Sequence, residues 1–143
     1  MGFFQKLFSK TDNRNLAGPD KDPRFMTNGD LGNREGSGPW VGVDLDGTLA
    51  VWGPGASLHR IGPPVPAMLS YVRRMRDNGI RVKIFTARAG DPKQIPKIEK
   101  WLEKNGLPGL EITNVKDYDM ERLYDDRAIQ VEANTGRIMA LNP

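Results

Sequence analysis

The sequence predicts an α/β fold: a Rossmann-like three-layer sandwich around a central, mostly parallel sheet, over residues 39–143. Three observations predict it. Short apolar runs alternate with segments of helical spacing, in the order strand, helix, strand, helix, strand, which argues for parallel pairing with right-handed crossovers. Glycines stand where each helix should end. The chemically useful polar residues fall at the carboxyl ends of the strands, where such sheets carry their sites.

Each element can be justified in turn. Trp40-Val41-Gly42-Val43 is an apolar run ending at Asp44, the pattern of a buried strand. Residues 65–78 place Val65, Met68, Leu69, Val72 and Met75 at helical spacing, with Pro63 and Pro64 before them and Gly79 after. Residues 80–85 read as a second strand. Residues 92–104 read as a second helix, with Ile95, Ile98, Trp101 and Leu102 inward and Gly106 closing it; Pro96 implies a later start or a kink. Residues 111–115 form a third strand, and 122–124 a fourth that runs into Asp125-Asp126. Last, residues 128–131 and 137–140 flank Asn134-Thr135-Gly136, a C-terminal β-hairpin signal.

Residues 1–38 differ. They are rich in charges of mixed sign and in glycine, and after Phe8 they are poor in apolar side chains. Such a segment buries too little surface to offset its ordering entropy, so a flexible N-terminal arm is expected.

Composition excludes several kinds of chemistry. Cysteine is absent and His59 is the single histidine, so disulfides, thiol catalysis and multi-histidine metal clusters are ruled out. Any metal must use oxygen ligands, which suits hard cations such as Mg²⁺. A net charge of +3 is compatible with phosphate-bearing substrates but too small to imply nucleic-acid binding. No run approaches the roughly 18 apolar residues that span a bilayer. Residues 1–8 lack the long apolar stretch and cleavage site of a signal peptide, and Lys6 stands where a myristoylation signal wants Ser or Thr. A cytoplasmic location without a membrane partner is therefore expected.

Asp44 and Asp46 lie two apart on chain leaving a strand, and Gly47 gives the backbone freedom to turn both toward one site. One carboxylate can attack phosphorus, and the other can protonate the leaving oxygen and later activate water. Mg²⁺ bound by Asp125 or Asp126 together with Asp44 would neutralise developing charge, as would Lys116. The Thr86 hydroxyl can donate to a phosphate oxygen.

These residues carry a resemblance. Val43-Asp44-Leu45-Asp46-Gly47-Thr48 resembles the first motif of the haloacid dehalogenase (HAD) superfamily of phosphohydrolases, hydrophobic-Asp-x-Asp-Gly-Thr. Ile84-Phe85-Thr86 is similar to its second motif, Lys116 to its third, and Leu123-Tyr124-Asp125-Asp126 to its fourth. The resemblance implies Asp44 as nucleophile, Asp46 as general acid and base, and Thr86 and Lys116 as holders of the phosphoryl group. It implies Mg²⁺ on Asp44, on the backbone carbonyl of Asp46, and on Asp125 or Asp126. The cap domain that many relatives carry has no room here, because residues 49–62 and 89–115 are too short to hold one beside their own elements.

Blander readings stand beside these. Asp-Gly is a common turn dipeptide; Asp44 and the strand context favour catalysis. Lys97, Lys100 and Lys104 compete with Lys116 but fall on the predicted helix, where solvated lysines are expected. Arg88 either contacts substrate or makes a surface ion pair. Trp52 either stacks on a base or sugar or packs its loop. His59 is expected to be an exposed loop residue, and Arg127 to pair with one of the neighbouring acids. The favoured function is a Mg²⁺-dependent phosphomonoester hydrolase acting through an aspartyl-phosphate. The alternatives are a polynucleotide 3′-phosphatase or nucleotidase and, in another class, a HAD-fold binding module without turnover. The expected partner is a phosphorylated substrate: a small molecule, a nucleotide or a nucleic-acid end.

Overall fold

Among the described residues, four short strands and two helices follow one another as the hydrophobic pattern requires. The computed structural model of the chain describes residues 38–139. The arm expected over residues 1–38 lies outside them except for Gly38, as does Ala140 at the end of the expected hairpin. The elements are β1 (Trp40–Val43), α1 (Pro66–Asp77), β2 (Val82–Phe85), a 3₁₀ turn (Ala87–Gly90), α2 (Ile95–Lys104), β3 (Glu111–Thr113) and β4 (Met120–Tyr124). The strand order is β3-β2-β1-β4, and every pairing is parallel. The α/β class and the Rossmann-like sandwich are as the sequence predicts.

Register places Val41 beside Val82 and Val43 beside Ile84, so their side chains share one face of the sheet. On that face they join Val72 and Met75 of α1 and Ile98 and Leu102 of α2 in one core cluster. The helix faces therefore follow the 3.6-residue spacing that marked them in sequence. Tyr71 of α1 adds a hydroxyl contact of 2.9 Å to the Tyr124 hydroxyl on β4.

The boundaries shift by a few residues, for local reasons. Ile80, expected in β2, instead donates its N–H to the Met75 carbonyl and closes the end of α1, next to Gly79 at φ 78°. α2 begins at Ile95 rather than 92, with Pro96 in the first turn, where its missing N–H costs nothing. β3 stops at Thr113, whose hydroxyl accepts from the Val115 N–H and turns the chain. β4 starts two residues early, with a bulge that leaves Glu121 between the pairs Trp40–Met120 and Val41–Arg122. The C-terminal hairpin narrows to a single antiparallel bridge, Val131 to Ile138, around a turn holding Asn134 at φ 64° and Gly136 at φ 76°. Ile129, Val131 and Ile138 stay about half exposed, so little burial stabilises a longer ladder there. Among the described residues no helix is long and apolar enough to cross a membrane.

Candidate functional site

The site is built at the carboxyl ends of β1, β2 and β4. Beyond β1 the chain folds back at once. Asp44 donates its N–H to the Tyr124 carbonyl, Gly47 to that of Ala50, and Ala50 to that of Leu45. Leu45 and Leu49 are fully buried and anchor this turn from beneath. Gly47 sits at φ 88°, the left-handed region that favours glycine. A Cβ there would also lie 2.6 Å from Asp126 Oδ2, so glycine leaves room for an acid as well as for the turn.

Three carboxylates converge. Ligand oxygens of Asp44, Asp125 and Asp126 lie within 4.8 Å of one another. Asp126 is fixed by a reciprocal pair: Thr48 Oγ1 donates to Asp126 Oδ1 at 3.0 Å, and the Asp126 N–H donates back to Thr48 Oγ1 at 3.0 Å. Asp125 Oδ1 accepts from the Arg127 N–H at 2.8 Å. Burial, then repulsion from Asp125, pushes the Asp44 carboxyl up to about 7, with Asp126 adding to the rise and a hydrogen bond from Leu45 opposing it. Uncompensated carboxylates held this close, all oxygen donors, fit a hard divalent cation such as Mg²⁺. The carboxylate of Asp46 is not in this cluster; it belongs to a second one.

That second cluster centres on Arg88. Its guanidinium grips Asp46 with two bonds, Nε to Oδ2 at 2.6 Å and Nη2 to Oδ1 at 3.0 Å. Nη1 donates to the Leu58 carbonyl and to Gln94 Oε1, and Nη2 also reaches the carbonyls of Ser57 and Arg60. All five N–H groups are thus committed to protein acceptors. Arg88 was expected either at the substrate or in a surface ion pair. It is 4% exposed, and its ion pair with Asp46 is an internal one. Thr86 caps the 3₁₀ turn and accepts the Arg88 N–H, which orients both residues from the end of β2.

Both clusters open on one cavity of about 780 Å³. The sequence-derived residues Asp44, Asp46, Thr86, Arg88, Trp52 and Asp125 line it; Asp126, exposed, joins Asp44 and Asp125 in the acidic group without lining it. Lys116 does not line it; it is exposed on the loop after β3, and Asn114 takes the wall position at that strand end. Arg127 also lines the cavity. Of its groups only the backbone N–H pairs with a neighbouring acid, and the guanidinium has no protein partner among the described residues. Leu58, Phe85, Ala87, Asp91, Gln94, Asn114 and Arg127 also line the cavity, and sequence reasoning gave none of them a place in the site. Asn114 and Arg127 could have been found by the strand-end rule that found Asp44 and Asp125. Gln94 and Leu58 carry no such local signal.

No protein-family model matches the chain. No curated protein matches it either. Among solved structures it is similar to a conserved protein from Bacteroides thetaiotaomicron, at 18% identity and a TM-score of 0.49, over 62% of this chain and 75% of that one. That likeness is too slight to bear on the site.

Proposed function

We propose that the chain is a Mg²⁺-dependent phosphomonoester hydrolase that takes the phosphoryl group onto Asp44. One observation carries the proposal. The Asp44 carboxylate is gathered with those of Asp125 and Asp126 at the end of a parallel sheet, beside Thr86, on a cavity of about 780 Å³. The motif resemblance of residues 41–126 to HAD phosphohydrolases points the same way.

Asp44 attacks phosphorus through a carboxylate oxygen, and the ester P–O bond breaks as Asp46, paired with Arg88 as a carboxylate, takes the proton of a phosphomonoester monoanion and delivers it to the departing alcohol. Water, deprotonated by Asp46, then attacks the phosphorus of the aspartyl-phosphate. Asp46 passes that proton to the departing inorganic phosphate, and both carboxylates are restored. Asp44, Asp125 and Asp126 would hold the cation, which neutralises charge on the transferring group when bound. Arg88 keeps the Asp46 carboxylate in place; each of its oxygens retains a second lone pair for the proton. Thr86 contributes a hydroxyl donor toward the phosphate, and Arg127 a guanidinium without a partner among the described residues. Lys116 stands further out in this arrangement. A cytoplasmic location belongs to the same proposal.

The Arg88–Asp46 pair also favours the second reading, a binding module without turnover, because it leaves Asp46 clamped at rest. One assay separates them: hydrolysis of an aryl phosphate with and without Mg²⁺, wild type against Asp44→Asn. Metal-dependent turnover that Asp44→Asn abolishes is expected. A wild type inert toward a whole panel of phosphomonoesters would overturn the hydrolase and leave the binding module.

A further inference from the structure

The loop between β1 and α1 is built like a wall. Its base is closed by the Val51 N–H on the Pro63 carbonyl and the Val65 N–H on the Leu49 carbonyl. Its tip is tied down by two buried polar side chains: Arg88 takes the carbonyls of Ser57, Leu58 and Arg60, and Gln94 Nε2 takes that of Leu58 at 2.9 Å. Trp101 Nε1 holds the Gly62 carbonyl at 2.8 Å. A loop held by this many long-range bonds has a fixed shape, which is what a binding surface requires.

What the wall presents is apolar and uncovered. Trp52 is 43% exposed and Leu58 62% exposed, and both line the cavity. The Arg88 guanidinium lies 6.0 Å from the Trp52 ring centroid, near enough for a cation–π contact that steadies the indole. Elsewhere on the cavity, Asn114, Arg127 and the acid Asp91 bring polar side chains. The cavity is of a size that takes an organic ligand and is far larger than a phosphate ion needs. A ligand that fills it must carry an anionic end for the Asp44 region, a planar apolar face for Trp52 and Leu58, and polar edges for Asn114 and Arg127. A sugar phosphate offers Trp52 only ring C–H groups and no planar π face, and an alkyl phosphate lacks the edges.

We propose that Trp52 and Leu58 form a base-stacking subsite, and that the substrate is a phosphomonoester carrying a nucleobase. This rests on the hydrolase proposal and assigns its leaving alcohol: a nucleoside, free or at the end of a nucleic acid. The fixed loop then supplies the selectivity that a cap would otherwise provide. Arg88 and Gln94 shape the subsite from behind.

The test measures binding and turnover separately. With Asp44→Asn and Mg²⁺, calorimetry compares nucleoside monophosphates with ribose 5-phosphate and glycerol 2-phosphate. The nucleotides should bind roughly tenfold tighter, the usual worth of one base stacked on an aromatic ring. Adding Trp52→Ala should remove that advantage while moving ribose 5-phosphate less than twofold, and Trp52→Phe should keep most of it. In the wild type the same preference should appear in kcat/KM. Equal binding of the three ester classes, or a Trp52→Ala loss shared by all of them, overturns the subsite even if every ester is hydrolysed. If no ester is hydrolysed, the hydrolase proposal is what fails, and the binding series still decides the subsite. A 3′-phosphorylated dinucleotide beside a mononucleotide names the source; a stacking gain for either supports the proposal, and a gain for neither overturns it.

Discussion

Replacing Asp44 by asparagine should stabilise the metal-free protein at alkaline pH while it abolishes turnover. The carboxyl is pushed from its ordinary 3.8 up to about 7, first by burial and then by Asp125. A rise of about three pH units corresponds to a ceiling of ~4 kcal/mol. Asp44 keeps part of its surface in water, and screening there reduces the figure to ~1–2 kcal/mol. In a domain of this size that is roughly 5–10 °C in Tm. The sign follows from proton counts. Below pH 3.8 the folded and unfolded chains both hold the proton, and nothing is lost. Between 3.8 and about 7 only the folded chain holds it, so stability falls as pH rises, and the deficit is complete above 7. Thermal unfolding in EDTA should therefore show Asp44→Asn well above wild type at pH 8 and level with it at pH 4. Millimolar Mg²⁺ should close the gap at pH 8 by raising the wild type more than the variant. An Asp44→Asn Tm at or below wild type at pH 8 without metal would refute the reasoning, because the carboxylates would then carry no mutual strain.

Three other predictions test separate parts of the molecule. Glu121 sits 7% exposed at the β4 bulge, with Oε1 lacking a hydrogen-bond partner among the described residues. Burial pushes it to about 7, against the pull of Arg122. Glu121→Gln should add ~1–2 kcal/mol at pH 8, where the folded acid is charged, and nothing below pH 4.5, as urea unfolding at the two pH values would reveal. Arg88→Lys keeps the charge but cannot span both Asp46 oxygens and the loop carbonyls. It should lower kcat roughly 10–100-fold and speed hydrogen exchange over residues 57–60, the latter measurable without any substrate. Arg127→Ala should cut kcat/KM for an aryl phosphate roughly tenfold or more, the usual cost of a charged hydrogen bond, while Lys116→Ala should change it less than threefold. The opposite ranking would restore Lys116 as the phosphate's cation.

The legible parts of this chain were those decided by near neighbours. Val72 and Met75, or Ile98 and Leu102, announce a buried helix face by spacing alone. Asp44, Asp46, Thr86 and Asp125 are found by the rule that sites lie where parallel strands end. Boundaries slipped where one residue had a second use, as when Ile80 closed α1 and did not extend β2. Lys116 and Asn114 both follow β3, and nothing in the order of residues says which one the chain turns inward. That depends on the Thr113 hydroxyl bond to the Val115 N–H, a detail of turn geometry.

Arg88 was the least legible residue, and its case explains why. Its partners are Asp46, forty-two positions earlier, three backbone carbonyls in residues 57–60, and Gln94. Backbone carbonyls have no sequence signature, so no pattern could mark them as the other half of an arginine site. A buried guanidinium is stable only when its N–H groups are satisfied and its charge is met. Asp46 meets the charge, and the loop satisfies the remaining donors. The position of a would-be proton donor and the shape of the wall beside it are therefore set by one side chain. A change in residues 57–60 that moved those carbonyls would disturb Asp46 without touching it. In the hydrolase proposed above, proton transfer and substrate selection would then shift together, and a short loop would govern both.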